Sequence, residues 1–178
     1  MSKAITSKNH PVSDEVLKTP FENVALAFSG GGFRAASFSL GVLSYLNHTR
    51  FNDHTKDNKP SSLLDKVTYI SSASGGTITN ATYALHSKSG KNFGAYYKKL
   101  YEDLKEDQLL NNTLEILSHK KYWKERSKKS RNLINSFALA YDKYLFDGKT
   151  LEELKPSSQN THLEEVCFNC TEFYRGLL

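Results

Sequence analysis

The sequence predicts an α/β fold with a mainly parallel sheet, and three observations carry that expectation. Val24-Ala25-Leu26-Ala27-Phe28-Ser29 and Val67-Thr68-Tyr69-Ile70-Ser71-Ser72 are short apolar or β-branched runs. Each ends in a glycine-rich turn, and each turn is followed by residues of helical character. A strand-turn-helix plan used twice in close succession is the pattern of parallel strands joined by helical crossovers.

Taken in order, residues 1–20 hold Pro11 and Pro20 with little periodicity and read as a loosely packed lead-in, with the domain proper spanning 21–178. The first strand is apolar on both faces, as a strand inside a parallel sheet should be. After Gly30-Gly31-Gly32, the residues Ala35, Phe38, Leu40, Val42, Leu43 and Leu46 recur at helical spacing. His48 to Ser62 reads as a polar loop. The second strand breaks at Ala73-Ser74-Gly75-Gly76, and a helix is expected over Thr77 to Ser87. From Asn92 to Tyr144 the chain reads as mostly helical. Phe93, Tyr96, Tyr97, Leu100 and Leu104 form one apolar stripe, and Leu133, Ile134, Phe137, Leu139, Ala140 and Tyr144 form another. Both are taken as core. Turn residues at Asp147-Gly148 and Pro156-Ser157-Ser158 precede a strand over Glu164 to Phe173.

Composition narrows the class. The 178 residues are 38% hydrophobic and 24% charged, which fits a globular domain with its own core rather than a disordered chain. No stretch approaches the roughly 20 apolar residues of a membrane-spanning helix, and no apolar run near the N-terminus has signal-peptide character. The reading is cytoplasmic. The net charge of +5 is concentrated: Lys120, Lys121, Lys124, Arg126, Lys128, Lys129 and Arg131 face a single acid, Glu125. With Tyr122 and Trp123 inside it, the segment 120–131 suits peripheral contact with a membrane surface better than nucleic acid. Cys167 and Cys170 have C-x-x-C spacing but lie in a strand pattern without a second pair, so they read as ordinary strand residues. His10, His48, His54, His86 and His119 show no metal-ligand spacing and read as surface residues. The Asn-x-Ser/Thr matches at Asn47, Asn80, Asn111 and Asn169 carry no weight without a secretory signal.

The chemistry sits at the two turns. Gly30-Gly31-Gly32 at a helix start leaves backbone N–H groups open to an anion, whether a phosphate or an oxyanion. It is neither a G-x-G-x-x-G fingerprint nor a Walker loop. In Ser72-Ala73-Ser74-Gly75-Gly76, Ser74 occupies the apex of a sharp strand-to-helix turn, which would project its Oγ above the sheet edge. Ser72 stands where G-x-S-x-G has its first glycine. Two such turns ending parallel strands of one sheet would meet at its carboxyl edge, where sites of open α/β folds form.

"GGGFRA" after a first strand and "SASGGT" after a second, with a helix between, resembles the patatin-like phospholipases, and GGGFRA is also similar to the turn of the cytosolic phospholipase A2 catalytic domain. The resemblance is good over Asn23 to Leu85 and looser to the strand EEVCFNCTEF. It implies a three-layer α/β/α fold of which this chain is the N-terminal part. It implies Ser74 as nucleophile and Gly30, Gly31, Gly32, Phe33 and Arg34 as the oxyanion-hole segment. The nucleophile turn would be Ser72, Ala73, Gly75 and Gly76. The implied activity is hydrolysis of phospholipid or other acyl-ester lipids by a Ser–Asp dyad, without metal or organic cofactor. The dyad aspartate is expected beyond the end of this chain, because Asp147-Gly148 precedes the last strand and reads as a plain turn. Two alternatives stand beside this reading. Ser74, Asp147 and His162 follow the Ser…Asp…His order of α/β-hydrolases. A non-catalytic module, or a truncated inactive patatin-like one, would use the glycine turns to hold a lipid or phosphate anion at most.

Overall fold

The computed structural model describes residues 21, 23–53, 59–105, 108–124, 126, 128–155 and 161–171. The lead-in 1–20 and the turn residues Pro156, Ser157 and Ser158 lie outside them. β1 (Val24–Phe28), β4 (Val67–Ala73) and β5 (Glu165–Asn169) form one sheet in the order β1-β4-β5, with β4 central and both pairings parallel. Helix α1 (Gly32–His48) crosses from β1 toward β4, and α2 (Gly75–Ser87) leaves β4 directly. The two strand-turn-helix units and the later strand stand where the sequence places them, with β5 over Glu165–Asn169; Phe173, the expected end of that strand, lies outside the described residues.

α1 and α2 are helical because their apolar residues recur with the helical period and face the sheet. Ala36, Leu40, Leu43 and Leu46 of α1 and Ile78, Ala81 and Ala84 of α2 are buried, with Phe28, Val67 and Ile70 from the strands. The opposite face of the sheet is open: Ala25 and Ala27 are exposed and Tyr69, Ser71 and Ala73 only partly covered. Among the described residues, then, the sheet and the helical layers on one face are present out of the three layers the sequence suggests.

The segment read as a polar loop contains an antiparallel hairpin, β2 (Arg50–Asp53) with β3 (Lys59–Ser62). Neither strand alternates apolar with polar residues, and Pro60 is tolerated because the pair is isolated from the main sheet. A capping box then closes the chain into β4: Ser62 Oγ accepts from the Asp65 N–H at 3.2 Å, and Asp65 Oδ2 accepts from the Ser62 N–H at 3.1 Å.

The helical middle consists of α3 (Phe93–Leu104), α4 (Gln108–Ser118) and α5 (Leu133–Ala140), the last running into a π-helical turn over Tyr141–Phe146. The stripe on α3 is core, with Tyr96 and Leu100 buried. The second stripe is core only in part. Leu139 and Ala140 are buried, but Leu133 is 47% and Ile134 80% exposed at the start of α5. His86 also departs from the surface reading: it stacks on Tyr96 at 4.9 Å between centroids, and burial holds its imidazole below its ordinary pKa.

Candidate active site

The parallel register of β1 on β4 decides where the two turns go. Phe28 pairs with Ser72, so Ser29-Gly30-Gly31 leaves β1 beside Ala73-Ser74 leaving β4. A Cβ placed on Gly30 would lie 3.0 Å from Ser74 Cβ and 3.6 Å from Ser74 Oγ. One placed on Gly75 would lie 2.0 Å from the Gly32 carbonyl oxygen, and one on Gly76 2.7 Å from both Phe28 Cβ and Ser29 O. The turns are thus packed backbone to backbone, an approach only glycine permits at 75 and 76.

Ser74 has φ 49° and ψ −122°, a conformation that L-residues rarely adopt and that tight functional turns store as strain. It stands immediately before α2, and its carbonyl accepts the first bond of that helix from Thr77 N–H at 2.9 Å. Its side chain is exposed, and its Oγ has no hydrogen-bond partner among the described residues. Across the contact, Gly31 at φ 140° and Gly32 at φ 64° turn the chain into α1, whose first N–H groups have no acceptor within the helix. Gly30, Gly31, Gly32, Phe33 and Arg34 are all exposed, and Arg34 has no ionic partner among the described residues. An exposed hydroxyl therefore lies between the N-terminal ends of two helices, where negative charge is favoured.

Ser72 is more than a small residue in a tight turn. It is 1% exposed, its hydroxyl donates to the Cys167 carbonyl at 3.3 Å, and it accepts from Asn80 Nδ2 at 2.9 Å. Asn80 is fully buried and also donates to Ile70 O at 3.1 Å and Cys167 O at 3.4 Å. Three surrounding oxygens fix the orientation of its amide, since a flip would set Oδ1 against all of them. At the strand tip, Asn169 Nδ2 donates to Ser71 Oγ at 2.8 Å and Ser72 O at 3.1 Å. Asn80 and Asn169 thus brace the turn, which the sequence signals only as glycosylation-type triplets. A fully buried Asn80 has no room for a glycan.

The remaining candidates lie elsewhere. His162 does not approach Ser74: its Nδ1 bonds the Val67 carbonyl at 2.7 Å and its Nε2 bonds Tyr83 Oη at 2.8 Å. Val67 opens β4 and Ser74 follows its end, so the two are roughly 20 Å apart at the strand rise. Both ring nitrogens are engaged, the Val67 carbonyl accepting at Nδ1–H and the Tyr83 hydroxyl pairing with Nε2. Burial pushes the Tyr83 hydroxyl far above its ordinary pKa, so it stays a donor. The Ser…Asp…His order therefore forms no triad. Asp147 is a turn residue at φ 54° after the π-helical segment. It lines a cavity of about 310 Å³ with Leu85, His86 and Leu100, at the far end of α2 from Ser74. Cys167 lies in β5 and Cys170 just past it, both as free thiols. Among the described residues no helix is long and apolar enough to cross a membrane.

A family model described as patatin-like phospholipase matches residues 26–172. A lysophospholipase of Arthroderma benhamiae is 41% identical over 64 residues, which is 36% of this chain and 10% of that protein's length. The matched stretch thus spans about a tenth of that relative's length. No solved structure matches.

Proposed function

We propose that this chain, which belongs to the patatin-like phospholipase family, carries the nucleophile and the anion-binding turn of a serine lipid acyl hydrolase. The observation that carries the reading is the contact of the two turns, with a Cβ position on Gly30 only 3.6 Å from Ser74 Oγ. In the proposed reaction Ser74 Oγ attacks the carbonyl carbon of an acyl ester while its proton passes to a carboxylate base. N–H groups of the Gly30-Gly31-Gly32 segment hold the tetrahedral oxyanion, each such donor being worth about 3 kcal/mol. The C–O bond to the alcohol then breaks, the alcohol takes the proton, and water hydrolyses the acyl-serine by the same steps in reverse. We place the aspartate of the dyad outside the described residues, since Asp147 stands at the far end of α2. The substrate class is phospholipid or another acyl-ester lipid. The relative named as a lysophospholipase supports an ester-linked acyl lipid at this site.

Labelling with a fluorophosphonate probe, with the adduct located by mass spectrometry, tests the reading. It expects an adduct on Ser74 in a protein that includes the base, lost in Ser74→Ala. An intact, folded protein that does not label there refutes it. A second reading draws on the unpartnered Ser74 Oγ: this segment holds a lipid or phosphate anion without turnover. In that case Ser74→Ala leaves binding unchanged and no adduct forms.

A further inference from the structure

The basic run between α4 and α5 takes no part in the site at the sheet edge. From Ser118 to Ile134, every described residue except Tyr122 and Trp123 is exposed. Those two aromatics are turned inward. Trp123 Nε1 donates to the Ile116 carbonyl at 2.8 Å, Tyr122 Oη donates to Glu115 Oε1 at 2.8 Å, and both rings pack on the core. At the other end, Arg131 donates through Nε and Nη2 to Leu117 O and Ser118 O at 2.5 and 2.6 Å, satisfying the last carbonyls of α4. The connection is therefore anchored at both ends. The side chains of Lys120, Lys124, Lys128 and Lys129 are left exposed, without an ionic or hydrogen-bond partner among the described residues. Next in sequence α5 opens with Leu133, 47% exposed, and Ile134, 80% exposed, just after the Arg131 that bonds the last carbonyls of α4.

We propose that this connection is a membrane-contact element selective for anionic lipid. The four lysines would meet the headgroups while Leu133 and Ile134 enter the boundary of the acyl chains. The pairing of charge with exposed apolar residues decides between occupants. A nucleic-acid backbone satisfies the lysines but offers Ile134 nothing apolar, and an apolar protein patch covers Ile134 while stranding the lysines. The inference rests on the lipid-substrate reading, yet its test does not need turnover.

Flotation of the full chain carrying Ser74→Ala with vesicles of phosphatidylcholine, with and without phosphatidylserine, is the experiment. Binding is expected only to the anionic vesicles and is expected to weaken as added salt shortens the screening length. Neutralising Lys128 and Lys129 to glutamine should weaken it about 25-fold, from about fivefold per basic side chain. Ile134→Ser should weaken it about tenfold. Equal binding to both vesicles, an unaffected lysine variant, or capture by a DNA duplex without vesicle binding overturns the proposal. Lost vesicle binding with Ser74 labelling intact in the unsubstituted protein refutes this inference alone. Intact vesicle binding without labelling refutes the catalytic reading alone.

Discussion

At the end of β1 the chain turns through Gly31 at φ 140° and Gly32 at φ 64°, whereas at the end of β4 it turns through Ser74 at φ 49° and reaches its glycines only afterwards. In the first turn glycine supplies backbone conformation, and a Cβ on Gly32 would meet nothing within 4 Å. In the second, glycine supplies space: Gly75 and Gly76 have ordinary φ but lie against the backbone of the first turn. The helices differ as well. α1 is held largely by Ala36, Leu40, Leu43 and Leu46. α2 adds buried polar stitches, with Thr79 Oγ1 donating to Ala36 O at 2.8 Å and Asn80 reaching β4 and β5. One motif plan thus hides two different physical dependences. A strained serine is held in place by what surrounds it on the second unit.

The largest expected effect follows from the polar stitching. Asn80→Asp sets a carboxylate against the Ile70 and Cys167 carbonyls and the Ser72 hydroxyl oxygen in a fully buried site, which should cost about 4 kcal/mol at neutral pH. Such a carboxyl has its folded pKa raised above the unfolded value of about 3.9. The penalty is therefore full above the folded pKa and shrinks as pH falls toward the unfolded one. Urea melts of both proteins at acid and neutral pH measure this. A difference between them that does not narrow in acid breaks the account of Asn80.

The contrast between space and conformation is tested by the pair Gly75→Ala and Gly32→Ala. The first drives a methyl into the Gly32 carbonyl and should cost at least about 3 kcal/mol, because backbone cannot yield as a side-chain end can. The second has room but must hold an L-residue at φ 64°, and should cost about 1 kcal/mol. Melting of the two variants side by side decides: equal losses would mean that both glycines serve the same end.

Much of this was legible in the sequence because local signals suffice for it. β1, β4, α1 and α2 are announced by apolar runs and by glycine where the period changes from strand to helix. The contact of the turns follows from parallel pairing alone. The hairpin β2–β3 was not legible, since Arg50-Phe51-Asn52-Asp53 and Lys59-Pro60-Ser61-Ser62 lack the alternation that marks a strand. Helical spacing placed Ile134 in a stripe, but periodicity says which residues share a face and not whether that face is covered. Ser72 read as a small-residue substitute for glycine because its acceptor, the Cys167 carbonyl, lies 95 positions away in sequence. Only β5 docking on β4 makes that pairing visible.

The smallest expected effect bears most directly on Ser74. If its φ of 49° and ψ of −122° are imposed by the turn, Ser74→Gly should remove strain worth between about 1 and 3 kcal/mol. The added freedom of glycine in the unfolded chain offsets up to about 1 kcal/mol of that gain. A net stabilisation of about 1 kcal/mol is expected, while Ser74→Ala, which keeps the Cβ, should leave stability almost unchanged. Calorimetric melting of the two variants separates strain from side-chain contacts, since both lose the hydroxyl. If glycine gives no gain over alanine, the turn at 74 is relaxed as serine. The constraint imposed by Gly75, Gly76 and Asn80 then positions the residue without straining it.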